Sequence, residues 1–204
     1  MPITSFFANK ILDHMLRNQS YTPPASIYFS IHTGDPTDGS TNEMAVTRVA
    51  GSYAAAAGKS IALSAVVPIV NCPLGTVKAF SIWDAISSGN CLWTGWLSGA
   101  TKAFTGEGTA ELVTCPAHSF VADDQVVFYD DGVGTLPAGL AEATLYYVIA
   151  SGLATDAFKV SATQGGSAVN ITATGQGLVA KVTPKTIANA GDTFNLTAAP
   201  LSIQ

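Results

Sequence analysis

Val126-Val127-Phe128-Tyr129, Leu145-Tyr146-Tyr147-Val148-Ile149 and Ala157-Phe158-Lys159-Val160 are the runs whose reading decides the fold. All are short and dominated by β-branched and aromatic side chains, which fit a pleated surface. Between them stand Asp130-Asp131-Gly132, Leu136-Pro137-Ala138-Gly139 and Ser151-Gly152. These are turn residues: Asp bonds nearby backbone N–H groups, Pro presets φ, and Gly tolerates positive φ. Short strands at regular spacing with turn chemistry between them predict a small β-barrel or sandwich. Leu112-Val113 and Val169-Asn170-Ile171 read as further strands of this unit. Gly99 to Gly108 reads as a flexible connection before it, and Gly175-Gln176-Gly177 as its close.

Toward the N-terminus the period changes. Phe7, Ile11 and Met15 recur at helical spacing, flanked by Ala8, Leu12 and Leu16, with Lys10, Asp13 and Arg17 on the other side. That is one broad apolar stripe on a helix. Thr4 or Ser5 supplies the N-cap, and Asn18 with Pro23-Pro24 ends the helix. The stripe either packs on the chain's own sheet or docks on a neighbouring subunit. In the second case Phe7, Ile11 and Met15 are the assembly residues.

From Ile27 the period is two: Ile27, Phe29 and Ile31 alternate with Tyr28, Ser30 and His32, as in a half-buried strand. Residues 40–60 show weak periodicity. Ile61 to Val67 reads as a strand. Val77 to Asp84 and Cys91 to Ser98 read as an antiparallel hairpin around Ser87-Ser88-Gly89-Asn90, with Trp83, Trp93 and Trp96 expected in the core. Near the C-terminus, Lys181 to Asn189 and Gly191 to Leu196 read as two strands joined by a turn. They are too few to form a domain alone, but they make sense as the completion of a sheet begun before residue 100.

Charge draws the same boundary. Residues 103–182 hold eight acidic residues against Lys159 and Lys181, a balance of −6, so the remainder of this −5 chain carries +1. The expected organisation is therefore a host β module, 1–102 plus 183–204, that carries the helix and serves assembly. A small acidic β-barrel, 104–181, is inserted at a surface loop and serves display. The fold class expected is mainly β, an antiparallel sandwich or barrel, with one N-terminal helix and the second barrel inserted in a loop. Asp130, Asp131, Leu136 and Pro137 are expected to form an exposed loop of the insert.

Catalytic and cofactor patterns are missing from the sequence. His14, His32 and His118 do not form a metal spacing, and no Gly-x-Ser-x-Gly elbow or phosphate-loop context is present. Asp35 and Asp38 lie in ordinary Asp-Pro and Asp-Gly turns without calcium-loop spacing. The expectation is a protein that is not an enzyme and has no cofactor or metal. No basic stripe favours nucleic acid. No apolar run reaches membrane-spanning length, and no secretory signal is recognisable at Met1 to Lys10. Cys72, Cys91 and Cys115 are odd in number and form no C-x-x-C pair, so they are expected to be buried reduced thiols.

The run Ala8 to Arg17, with Tyr21-Thr22-Pro23-Pro24-Ala25, Ile27-Tyr28 and Thr33 to Asp38, resembles a family of small tailed-bacteriophage virion proteins described as phage tail fibre proteins. The hairpin Phe80 to Asp84 with Gly89 to Trp93, and Ala190 to Phe194, continue the resemblance. His118 to Phe120, Asp123 to Phe128, Gly134 to Gly139, Thr144 to Val148, Phe158 to Ala162 and Gly165-Gly166 resemble a different unit, the FCCH-like β-barrel. These resemblances imply a structural virion component, made in the host bacterial cytoplasm, of tail-fibre or tail-tip type. A capsid decoration protein and a receptor- or glycan-binding adhesin are the alternatives. The implied partners are other virion proteins (tail or major capsid protein), further copies of the chain in a homo-oligomer such as a trimer, and the host cell surface, without nucleic acid or membrane insertion.

Overall fold

A computed structural model describes residues 3–202. The chain is mainly β with one helix. In order, α1 (Ser5–Arg17) leads to β1 (Ile27–His32), β2 (Val49–Gly51), β3 (Ser60–Ile61), β4 (Val67–Cys72), β5 (Gly75–Val77), β6 (Ala79–Trp83) and β7 (Cys91–Trp96). Then come β8 (Lys102–Glu107), β9 (Leu112–Thr114), β10 (Gln125–Tyr129), β11 (Leu145–Ile149), β12 (Ala157–Ser161) and β13 (Gly175–Lys181). The last are β14 (Lys185–Ile187), β15 (Asp192–Leu196) and β16 (Leu201–Ser202). The chain divides into two compact units: the described residues up to Leu97 with those from Pro184 onward, and Ser98–Thr183.

In the first unit, β2, β1, β6 and β7 form an antiparallel four-stranded sheet. The C-terminal strands pair in reverse order with earlier ones: β14 with β5, β15 with β4, β16 with β3. Phe194, Leu196 and Leu201 thereby fill the same core as Phe29, Ile31, Val67, Ile69, Phe80 and Ile82. Burying side chains of this size supplies the main favourable term, roughly 1.5–3 kcal/mol each.

The second unit is a closed antiparallel barrel in the order β10, β11, β12, β9, β8, β13, with β13 returning to β10. Closure removes free sheet edges. Its core stacks aromatics edge to face: Phe104 on Phe128 and Phe128 on Tyr146, with Phe120 on Phe158. His118 is buried among them. Its Nε2–H donates to Ala154 O at 2.8 Å while Nδ1 accepts from Phe120 N–H at 2.9 Å, so both ring nitrogens are satisfied. The chain begins and ends this unit side by side, because Ser98 bridges Val182 and Gly99 N–H donates to Lys181 O.

Several expectations need correction. Gly99 to Gly108 is not a flexible connection, since Lys102–Glu107 is a barrel strand. Gly175 to Gly177 does not close the unit but opens the longest barrel strand, β13. Its glycines have a packing reason. Gly106 stands opposite Gly175 in the register, and a Cβ on either would strike the chain at Thr135–Pro137. Val169 to Ile171 does not form a strand, although Ile171 is buried in the barrel core.

Further corrections concern the first unit. Ile61 to Val67 is not one strand: Ile61 ends β3, Val67 begins β4, and residues 62–66 lie between them. Val77 to Asp84 divides into β5 and β6, and Lys181 to Asn189 is interrupted between Lys181 and β14. A short strand, β2, lies in the weakly periodic stretch. β1 is not half-buried: Phe29 to His32 are buried on both of its faces.

Candidate assembly surface and its support

α1 is capped at both ends by its own sequence. Thr4 has extended backbone, and its Oγ1 accepts from Phe7 N–H at 3.3 Å. Asn18 takes the left-handed conformation at φ 54°, and its N–H reaches back to Asp13 O. Ser5 adds an anion at the positive helix end: its N–H and Oγ donate to the Asp38 carboxylate at 3.3 and 2.8 Å. Arg17 pairs with Asp13 at 2.9 Å one turn earlier.

The helix is moored at one end only. Thr4 N–H donates to Leu92 O at 3.1 Å, its Oγ1 donates to Cys91 O at 2.6 Å, and Ile3 bridges Trp93. Residues 3–4 thus add to the open edge of β7. Phe7 packs its ring edge on Trp93 at 6.3 Å between centroids and leans on Tyr21 at 6.1 Å. No residue of α1 is buried. Ile11 is 36 % exposed, Leu12 54 %, Met15 71 % and Leu16 78 %. The charged side faces the returning chain, where Lys10, Asp13 and Arg17 line a shallow pocket of about 210 Å³ with Gln19, Ser20 and Tyr21.

Of the three expected assembly residues, Phe7 is therefore the anchor of the helix to its own sheet. Ile11 and Met15 remain uncovered, and Leu12 and Leu16 belong with them. The wheel holds this signal, since at 100° per residue Leu12 and Leu16 extend the arc away from Phe7.

Beneath this mooring, the second face of the four-stranded sheet holds a buried polar network. Ser30 pairs with Ser81 and Ser81 with Thr94, so their side chains share that face with His32 and Trp83. His32 Nδ1 lies 2.9 Å from Thr41 O and Nε2 2.7 Å from Ser81 Oγ, which also accepts from Trp83 Nε1–H at 2.7 Å. A carbonyl only accepts, so Nδ1 carries the proton and Nε2 accepts from Ser81. Burial is the largest influence on the imidazole and holds its pKa below the ordinary value, outweighing its bond to Thr41 and the nearby Glu43. The distances suit a nucleophile and its base, but His32 and Ser81 are fully buried. Arg48 forks onto Glu43, Nε to Oε1 at 3.0 Å and Nη2 to Oε2 at 3.3 Å, and donates through Nη1 to Ser88 O at 2.6 Å. Its hydrogen bonds to Arg48 help hold the Glu43 carboxyl below the usual carboxylate range against the opposing effect of burial. The network fixes the loop between β1 and β2 and the loop between β6 and β7, and so stiffens the sheet that carries α1.

The expected exposed loop of the barrel is corrected in part. Asp131 accepts from Val133 N–H and Gly134 N–H at 2.9 Å and from Gln176 Nε2 at 2.8 Å, bonds that pull its carboxyl below the ordinary range. Asp130 similarly accepts from Gly132 N–H at 2.7 Å. Leu136 packs against the barrel core and Pro137 is buried, because the loop folds back over Gly106 and Gly175. Val133, 85 % exposed, is the large apolar side chain the loop presents.

Among the described residues no cluster of His, Cys, Asp and Glu could hold a metal, and no helix is long and apolar enough to cross a membrane. The three cysteines are free and buried.

The comparison with known families places this mainly β chain among phage fibre structural proteins. The chain belongs to the podophage GP4 fiber I protein gp80 family, whose model matches residues 2–113, more than half of its length. The family makes the protein a bacteriophage virion component. No curated protein matches the chain.

Proposed function

We propose that this protein is a non-enzymatic structural subunit of tail-fibre or tail-tip type, in which the unit bearing α1 attaches to other virion proteins and the barrel is an accessory display module. The observation that carries the reading is α1: a capped helix, in the family-matched part of the chain, with four large apolar side chains left in water. Apolar patches of this kind mark sites of protein contact. The inserted barrel, with its acidic surface and resemblance to an FCCH-like unit, serves as a spacer. Buried free thiols fit assembly in a reducing host cytoplasm.

The test is the position and copy number of the chain on purified virions, by immunogold labelling and quantitative mass spectrometry. A handful to a few dozen copies at the tail supports the proposal. Hundreds on the head would replace it with capsid decoration. Val133 favours a second reading, because a rigid loop that presents one apolar side chain suits contact with a receptor. Cell binding by the full chain that is lost in Val133→Asp supports this reading, and unchanged binding removes it.

A further inference from the structure

We propose that His32, Ser81 and Ser30 form an acid-responsive hydrogen-bond switch inside the four-stranded sheet. The Ser81 hydroxyl points to His32 while the ring is neutral and turns to Ser30 when the ring takes a second proton. This goes beyond the fibre reading and stands or falls independently of it.

At neutral pH the direction of each bond is fixed. Trp83 Nε1–H donates to Ser81 Oγ, Ser81 O–H donates to His32 Nε2, and His32 Nδ1–H donates to Thr41 O. A hydroxyl has one hydrogen and two lone pairs, and Ser81 commits its one hydrogen to the ring. If Nε2 gains a proton, two donors face each other across 2.7 Å. The contact survives only if Ser81 accepts from both His32 and Trp83 and sends its own hydrogen elsewhere.

Ser30 is placed to receive it. It stands directly opposite Ser81 in the register of β1 and β6, where paired side chains have Cβ atoms about 4.5–5.5 Å apart. Its Oγ is buried with no hydrogen-bond partner in place, yet it lies near enough to Glu43 to help hold that carboxyl low. A buried hydroxyl left open costs stability, so its presence needs a reason. The acid state supplies one, because it completes a relay: His32 Nε2–H to Ser81, Ser81 O–H to Ser30, and Ser30 O–H to Glu43. The Glu43 carboxylate has lone pairs beyond the two that accept from Arg48. The step adds one proton, at His32 Nε2, and otherwise only turns two hydroxyls.

The surrounding charges suit a switch. Glu43 and Asp35 favour the charged ring, while burial and Arg48 oppose it. β6 and β7 present Ser81, Trp83 and Thr94 on this face, all uncharged. The ring therefore stays neutral at neutral pH and has a counter-ion waiting in acid. The relay ends on the carboxylate that Arg48 grips, and Arg48 also holds Ser88 O. Drawing Glu43 toward Ser30 changes that grip, so the loop between β6 and β7 feels the proton.

The experiment is nitrogen-15 NMR of the full chain, titrated from about pH 7.5 to 4.5. It reads the His32 ring nitrogens and the Trp83 indole N–H. The expected result is one midpoint shared by the ring, the indole and the amides of residues 85–90, in a chain that stays folded. Ser30→Ala separates the switch from simple burial. At neutral pH it removes a buried hydroxyl without a partner, so its urea midpoint should match or exceed the natural one. In acid it leaves the Ser81 hydrogen without an acceptor, so the His32 midpoint should fall by about one pH unit. Thr94→Val, at the other neighbour of Ser81, should leave the His32 midpoint in place. A ring that stays neutral until the chain unfolds overturns the inference. So does a Ser30→Ala chain whose His32 midpoint equals the natural one, or a midpoint that only Thr94→Val lowers.

Discussion

Arg48 lies over Trp83, with its guanidinium carbon 3.4 Å from the ring centroid. The same guanidinium holds Glu43 and the carbonyl of Ser88, so one side chain joins two loops to the middle of the sheet. Arg48→Ala leaves a largely buried carboxylate without its cation and should cost about 3 kcal/mol or more. Arg48→Lys should fall between the two, because an ammonium neither forks onto a carboxylate nor stacks as a plane. Urea unfolding followed by tryptophan fluorescence measures this. Trp83, Trp93 and Trp96 all belong to the first unit, which that signal therefore reports selectively.

His32 sets a pH dependence whose sign follows from its burial. Its folded pKa lies below the ordinary 6.5, so below that pH the unfolded chain binds a proton that the folded chain refuses. Stability is fully present above pH 6.5 and declines as pH falls toward the folded pKa, by at most about 1.4 kcal/mol per pH unit for this one group. Glu43, held below its ordinary 4.5, adds its own loss only at lower pH. Thermal melts between pH 5 and 8 should show the slope in the natural chain and a flatter one, from a lower starting point, in His32→Asn.

The barrel has no room for side chains where its loop lies down. In Gly175→Ala a Cβ would meet Thr135 O and Pro137 N, each at 2.5 Å. The variant should lose about 1–3 kcal/mol of barrel stability, as overpacked sites do. Far-UV circular dichroism should report the loss while tryptophan fluorescence stays unchanged.

Thr4 is the cap of α1 and also its tether to β7. Thr4→Val keeps the shape and removes the hydroxyl's bonds to Cys91 O, Leu92 O and Phe7 N–H, a loss of about 1 kcal/mol or more for the cap. Limited trypsin digestion should then cut faster at Lys10 and Arg17. Thr4→Ser should restore the natural rate.

What could be read from the sequence depended on whether the cause was local. α1 has a wheel, a cap and a stop signal within its own residues, and β10, β11 and β12 carry their own apolar runs. β8 and β13 do not. Gly106, Gly175 and Gly177 look like loop residues until the chain at Thr135–Pro137 is seen lying over them, a contact between residues distant in sequence. Pro137 misled for the same reason, since turn chemistry reveals a bend but not the direction in which it folds. Ser30 and His32 suggested a wet strand face because the groups that satisfy His32, Thr41 O and Ser81 Oγ, come from other segments. In the candidate assembly surface the helix was legible, but the division of its stripe was not. Only the packing of Phe7 on Trp93 shows which part of the arc is spent on the chain's own sheet.

The bridge between Ser98 and Val182 has a consequence beyond the barrel itself. A unit whose first and last residues are hydrogen-bonded neighbours imposes almost no geometric demand on the chain that interrupts itself to hold it. The free energy of closing such a detour grows only slowly with its length. Ends that meet in this way ask nothing of the flanking chain, so a short hairpin put in place of the barrel should leave the helix-bearing unit folded.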